Sequence, residues 1–595
     1  RRRHSELGSW IRRAADICDQ SRLILLCVGL TAVPFALGGR ADWLPAAAAL
    51  VNGIALSLLL FECACSRRRL RFHRAWWVVV AVLAVLSLQI VPLPGVSLLS
   101  PNAGEIWRRV GEAGMTDLQP VPSLAPVRTA NALWILLQIA GTGWLVCNTF
   151  TTRRRLLALS ACVAGAALAN AIAALTPVVM DSPPLFAQLG ITTRPLSGTF
   201  LNRNHFGFLM SLGMLQMAGL ALVVYQAGLG RNPATAGDPR SLERMLRSRR
   251  GPLLVLLSLA TVPVAMALLF SLSRGAAAAA TAALVAFLWL GPRGEAVGHK
   301  REILMGAALF LGILLFGSIE ALLGLWDRYD ALMRLGNLGL LGRWNVWRET
   351  AGLVARFPLT GIGLDAFKPV SPLVESGFVP GKISFHAHND YLELLTETGI
   401  PLGVLLLGLA AVGYILLWRG VLRCRDRICR SLATAALCGI AGAAVHEMVE
   451  YSLRSPANGF LLVSLATLAL LAIHVDRQGR PDDGATRKKE VSHAKGTPFR
   501  RYALTAAALA VLVPTLILLP ERIVAGAKIM ELRGVAESAA TRKNAGDALR
   551  TLATYCANLA DAVLEVMPRN ESALFQRAVY EQVLATYFIE NTDVR

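Results

Sequence analysis

The chain has 595 residues, of which 54% are hydrophobic and 17% charged, with a mean hydropathy of +0.51. A soluble globular protein of this size would struggle to keep that much apolar surface out of water, so lipid is the expected solvent. The net charge of +21 is dispersed between apolar runs with no recognition module beside it, which argues against nucleic acid and makes anionic lipid headgroups a sufficient partner.

In chain order, apolar runs lie near 22–38, 43–62, 75–95, 130–150, 156–176, 206–228, 251–272, 276–291, 303–319, 400–418, 431–448, 458–474 and 503–520. Most approach the roughly 20 helical residues that cross about 30 Å of hydrocarbon, and together they predict an all-α, polytopic fold of thirteen transmembrane helices. The 276–291 run is short and alanine-rich, so it tilts little or joins its neighbour as a hairpin. Arg12 and Arg13 precede the first run, which lacks a convincing small-residue cleavage site and reads as a retained helix.

Basic residues set the orientation. Arg67, Arg68, Arg69, Arg71 and Arg74 follow the second run, Arg153, Arg154 and Arg155 the fourth, and Arg231, Arg240, Arg244, Arg247, Arg249 and Arg250 the sixth. The same parity collects Arg293, Lys300 and Arg301, then Arg419, Arg423, Arg425, Arg427 and Arg430, then Arg487, Lys488, Lys489 and Lys495. These loops and the Arg1–Arg3 start belong in the cytoplasm, and 96–129, 177–205, the Arg274 turn and 320–399 face outward. Of ten cysteines only Cys556 lies clearly in an outward segment, which suggests neither a disulfide framework nor a thiolate metal cluster.

Residues 1–520 therefore read as a membrane domain that carries a structured outward loop at 320–399. In that loop 342–354 is predicted to form an interfacial amphipathic helix, with Trp344 and Trp347 at headgroup depth and Arg343 and Arg348 reaching polar ligands. Pro358 stops it, and Gly361-Ile362-Gly363 makes a tight turn. A helix over 390–398 leads into the tenth run, with Gly399 and Pro401 at the junction. Residues 521–595 are polar enough to leave the membrane and suggest a small outward helical tail that faintly resembles a tetratricopeptide pair. The tail is open between contacting glycan, an assembly protein or the chain's own large loop. No phosphate-loop or dinucleotide glycine pattern occurs.

Chemistry concentrates on the outward side. Asn202, Arg203, Asn204 and His205 stand just before the sixth run, where arginine and histidine can bind a phosphate; headgroup snorkelling is the plain alternative for Arg203. Arg274 sits in a tight turn near membrane depth, which suits an anionic ligand or a structural ion pair. His386, His388 and Asp390 alternate as metal ligands could, but the helical zinc signature is absent and Asp390 is a candidate helix cap, so no metal is expected. His388 suits proton transfer from an attacking hydroxyl, the alternative being a structural histidine. Asn389 is placed to orient the loop. Glu393 and Glu397, four apart on one helix face, are candidates to position His388 or bind sugar hydroxyls.

These pieces, Leu201-Asn202-Arg203-Asn204-His205-Phe206, Ser273-Arg274-Gly275, Gly342-Arg343 through Trp347-Arg348, Pro358 to Leu364, and His386-Ala387-His388-Asn389-Asp390-Tyr391-Leu392 through Glu397-Thr398-Gly399-Ile400, occur in an order that resembles the bacterial O-antigen ligase and polymerase superfamily. The resemblance implies a polytopic, GT-C-type glycosyltransferase of the bacterial inner membrane, with a cytoplasmic N-terminus and a periplasmic active site and tail. Its donor would be a glycan on undecaprenyl pyrophosphate, transferred with inversion and without metal or other cofactor. Carried onto matching positions, Arg274 and Arg343 bind pyrophosphate, Arg203 assists, and His388 activates the acceptor hydroxyl. Asn202, Asn204, His205, Arg348, His386, Asn389, Tyr391, Glu393 and Glu397 complete the expected substrate-binding set. The Asn202–Phe206 block and the tail look more like polysaccharide polymerase relatives. Transfer to lipid A core by a ligase, transfer to protein, and a transporter or assembly scaffold are the alternatives.

Overall fold

A computed structural model describes residues 2–39, 41, 43–66, 70–93, 95–112, 120–180, 196–228, 241–290, 340–374, 386–479, 502–517 and 523. Among them the regular elements are helical, as expected. They run α1 (Arg2–Ala32), α2 (Leu44–Cys65), α3 (Ala75–Ser87), α4 (Val96–Leu99), α5 (Pro101–Glu112), α6 (Pro126–Thr149), α7 (Arg153–Val179), α8 (Arg203–Gly228) and α9 (Ser241–Leu246). Then come α10 (Gly251–Phe270), α11 (Arg274–Leu290), α12 (Leu340–Arg356), α13 (Phe367–Val370), α14 (Asp390–Thr398), α15 (Ile400–Leu422), α16 (Arg427–His446), α17 (Pro456–Gln478) and α18 (Tyr502–Ile517).

Nine helices among the described residues are long and apolar enough to cross a membrane: α1, α2, α6, α7, α8, α10, α15, α16 and α17. The runs expected at 75–95, 276–291 and 503–520 form shorter apolar helices, Ala75–Ile90, Arg274–Leu290 and Tyr502–Ile517. The run at 303–319 and, apart from Ile523, the tail at 521–595 lie outside the described residues.

The chain divides into two compact units. In the first (Arg1–Leu70, Ile172–Arg203, Ser492–Arg595), α1 packs along α2. Arg22 of α1, fully buried, is paired with Asp19 at 2.7 Å and Glu62 of α2 at 2.5 Å, which compensates a charge that burial alone would make costly. Ser57 donates to Ala508 O at 3.1 Å and joins α2 to α18.

The second unit (Arg71–Ala171, Asn204–Val491) has α8, α16 and α17 inside, each with 67% of its apolar stretch buried, against 6% for α15. Small residues set the spacing inside, because lipid gives helices no hydrophobic reason to associate and close van der Waals contact must do so. A Cβ on Gly219 would lie 2.8 Å from Ala435, and one on Gly442 2.9 Å from Ala283.

The arginine-bearing ends meet one another. Arg71 N–H donates to Asn148 Oδ1 at 2.8 Å, Arg153 pairs with Asp426 at 2.7 Å, and Asp476 accepts from the Arg425 and Asp426 amides. Beyond the apolar helices, Leu353 and Phe357 of α12 form a small core with Ala103, Ile362, Phe367, Val370 and Ala387. Of the expected loop, 320–339 and 375–385 lie outside the described residues; the rest forms α12, α13 and α14 with the turns beside them. Trp344 is exposed, whereas Trp347 is half-buried.

Candidate active site

The site begins at the N-terminus of α14. The Asn389 side chain caps it, Oδ1 accepting from the Tyr391 and Leu392 amides at 3.1 and 3.0 Å, which satisfies two of the donors a helix start leaves open. The sequence pointed to Asp390 as a cap candidate. Instead its carboxylate turns inward to Arg454 and to the Leu453 amide, each at 3.3 Å. Its own N–H faces the carbonyls of Glu447 and Glu450. Immediately before the cap, His388 has φ +52°, a left-handed conformation that a side chain adopts only when its surroundings impose it.

Those surroundings are the turn between α16 and α17. His388 Nδ1 lies 3.4 Å from Glu450 Oε2, and its ring stands edge-on to Tyr451 with centroids 4.8 Å apart. His386 stacks on the same tyrosine at 4.2 Å, and His205 of α8 meets it edge-on at 4.7 Å. Tyr451 thus brings together imidazoles from two distant segments. The three alternating residues weighed as metal ligands have separate partners: His386 pairs with Glu393 at 2.9 Å, His388 with Glu450, and Asp390 with Arg454.

Beneath them is a buried ionic hub. Arg454 reaches Glu397 at 2.7 Å, Asp390 at 3.3 Å and Glu393 at 3.5 Å. Glu393 also accepts from the Ala387 amide at 2.9 Å and so fixes the His386–Ala387 backbone. Burial alone would raise the Glu393 carboxyl, but Arg454, His386 and that amide outweigh it and pull it down to about 2. Burial pushes Glu397 up to about 8 despite Arg454, and burial with the neighbouring Glu447 raises Asp390 well above the usual carboxylate range. Near neutral pH Arg454 therefore stands against an ionised Glu393, while burial favours the protonated form of Glu397. Both glutamates foreseen on one helix face are turned into this hub.

Arg343 of α12 binds the second oxygen of Glu450, so one buried carboxylate carries Arg343 on Oε1 and His388 on Oε2. Arg274 opens α11 at the same turn: a Cβ on its neighbour Gly275 would lie 3.0 Å from the His446 ring and 3.4 Å from Val449. The Arg274 side chain is exposed and has no hydrogen bond or ion pair among the described residues. The start of α8 packs there too, since Ser211 donates to Ala276 O at 3.2 Å and a Cβ on Gly207 would lie 2.7 Å from Ala276. Arg203 opens α8 with an exposed side chain, flanked by the half-buried Asn202 and Asn204. Arg348, one turn and more beyond Arg343, is exposed, and Tyr391 donates to Ala444 O at 2.6 Å.

The Pro358–Gly363 turn fixes α14 at its other end. Ile362 and Gly363 amides donate to the carbonyls of Thr396 and Glu397, both at 3.0 Å, and Ile400 N–H donates to Pro358 O at 2.7 Å. Gly361 (φ +65°) and Gly399 (φ +77°) permit this approach: a Cβ on either would come within 2.4 Å of opposing backbone.

Residues 259–407, which contain α11 to α14 with part of α10 and the start of α15, match the family model described as O-Antigen ligase. This match and a Rhizobium relative support a place for the chain in the O-antigen ligase and polymerase superfamily. The chain is 24% identical over 228 residues to "Exopolysaccharide production protein ExoQ" of Rhizobium meliloti (strain 1021), a match covering 36% of this chain and 45% of that protein. The chain therefore spans less than half the length of this relative in the match. The nine helices among the described residues that are long and apolar enough to cross a membrane accord with a multi-pass membrane protein, as does the family match.

Sequence reading missed the 446–454 turn, where Glu450, Tyr451 and Arg454 organise the rest. A signal was present: His446, Glu447, Glu450 and Arg454 crowd nine residues between two apolar runs, a placement that is expensive unless the groups serve one another or a ligand. The family match ends at residue 407 and does not reach this turn.

Proposed function

We propose that the chain polymerises glycan repeat units carried on undecaprenyl pyrophosphate at the periplasmic face of the bacterial inner membrane. The observation that carries this reading is the meeting of His388 and Arg343 on one carboxylate beside the start of the Arg274 helix. The acceptor hydroxyl oxygen bonds to the donor's anomeric carbon while the bond from that carbon to the pyrophosphate oxygen breaks. Its electron pair leaves on pyrophosphate, and the hydroxyl proton passes to His388 Nε2, the ring nitrogen that does not face Glu450.

Arg274, at a helix start and unpartnered among the described residues, supplies charge to the pyrophosphate as it leaves. Arg343 adds the donors that Glu450 does not occupy, and Arg348 of the same helix extends the anion-binding surface. Attack from the face opposite the leaving group inverts the anomeric centre, and the arginines do the work a metal would otherwise do.

The name of the Rhizobium relative, exopolysaccharide production, favours growth of a polysaccharide chain over transfer to lipid A core. The description of the family model favours the ligase reading, which uses the same donor chemistry. Reconstitution with separately labelled lipid-linked donor and candidate acceptors decides. A lengthening lipid-linked ladder supports the polymerase, label on lipid A core the ligase, and label on protein a third acceptor. Movement of intact lipid-linked glycan without release of undecaprenyl pyrophosphate would replace the enzyme with a transporter.

A further inference from the structure

We propose that Glu450 is a positioning residue that couples donor binding to the base: it holds His388 through Nδ1 and is released to it when pyrophosphate draws on Arg343. This rests on His388 acting as the base in the reading above. Glu450 is 3% exposed, so water cannot relieve its charge, and its two oxygens serve different partners. Arg343 comes from α12 and is 31% exposed, open to an anion from solvent; His388 comes from the loop before α14 and is 36% exposed.

The other titratable groups near Glu450 are His446 and Glu447 at the end of α16. His446 Nδ1 is occupied, lying 3.3 Å from both Glu447 Oε1 and Ser452 Oγ. Burial pushes the Glu447 carboxyl up to about 7, so it competes weakly as an anion. Among the described residues the side chain in contact with the Glu450 carboxylate besides Arg343 is His388, whose 3.4 Å contact lies beyond the usual range for an N–H to oxygen bond and has room to shorten.

A donated Nδ1–H also fixes the tautomer, leaving the Nε2 lone pair for the acceptor proton. The energetic logic is that a dianionic pyrophosphate competes with Glu450 for the Arg343 guanidinium. As that attraction is shared, the carboxylate's field falls more fully on the imidazole and favours its protonated form. The base then becomes strongest when donor is in place, which limits wasteful attack by water on an unready site.

The test uses full-length protein in nanodiscs with 15N-labelled histidine, the His388 signal being assigned by loss in His388→Gln. In wild type, inorganic pyrophosphate should move the Nδ1-bound proton downfield as its hydrogen bond to Glu450 shortens. Glu450→Gln should abolish that response and lower kcat by about 10²-fold, the scale of a general-base contribution, with donor KM nearly unchanged. Glu450→Asp should recover part of both. Arg343→Gln should place the proton at its downfield position before any pyrophosphate is added.

A response that persists undiminished in Glu450→Gln would reflect the ligand's own charge and overturn the proposal, as would no response in wild type. The magnetic measurement needs no turnover, so the two readings fail separately. Wild type that extends glycan while its His388 ignores pyrophosphate removes the coupling and keeps the function. Wild type that releases no undecaprenyl pyrophosphate with any acceptor removes the function, and the His388 signal still decides the coupling.

Discussion

Replacing Arg454 with methionine tests whether the ionic hub holds the loop that carries His386 and His388. The Arg454 side chain is 19% exposed and reaches Glu397, Glu393 and Asp390 at 2.7, 3.5 and 3.3 Å. Against burial, Arg454 is the largest influence holding Glu393 down to about 2, so the variant leaves that buried carboxyl with only His386 and the Ala387 amide to offset its burial. Stranding a buried charge costs about 3–5 kcal/mol. The strain falls on α14, because Glu393 is also what secures the Ala387 amide and His386. Hydrogen exchange followed by mass spectrometry should show amides of 390–398 opening roughly 200- to 5,000-fold faster, which is that energy expressed as an opening equilibrium. Adding Glu393→Gln to Arg454→Met removes the stranded charge and should recover much of the protection. If Arg454→Met exchanges like wild type, the hub carries no such burden; if the double variant is no better than the single, lost packing and not charge is the cause.

His388→Ala should retain donor binding and lose transfer, measured by binding of labelled lipid-linked donor beside release of undecaprenyl pyrophosphate; unchanged turnover would dismiss it as the base. Arg274→Ala should weaken donor binding about 10–100-fold, the worth of a charge-assisted hydrogen bond of roughly 1.5–3 kcal/mol, and unaltered affinity and rate would remove it from the pyrophosphate site. Stability should also fall as pH rises from about 4.5 towards 8, because folded Glu397 keeps a proton that the unfolded chain has already given up. Glu397→Gln should flatten that slope in thermal unfolding scans, whereas Glu393, shifted the opposite way, adds a loss as pH falls from about 4.5 towards 2.

The helices were legible because each apolar run must satisfy its backbone internally, and the tight turn after Pro358 announced itself through Gly361 and Gly363. The α14 helix and its junction at Gly399 were likewise written in local pattern. What local pattern could not give is pairing across the chain. Glu393 and Glu397 showed their shared face, but that the face points at Arg454 depends on how α16 and α17 fold back. The choice of Asn389 over Asp390 as cap was decided by the same guanidinium, which takes the aspartate away. Glu450 lies 62 residues beyond His388, so nothing near the histidine motif betrays it.

The direct hydrogen bonds between the 358–363 turn and the end of α14 run from main chain to main chain, with the Gln89 side chain bridging the Glu397 carbonyl and the Leu364 amide beside them. Selection can therefore rewrite the surrounding side chains to suit a different sugar without changing the span between the imidazole and the guanidinium. Insertions of even one residue there would be another matter. A scaffold of this kind lets specificity drift while the reacting geometry is inherited intact.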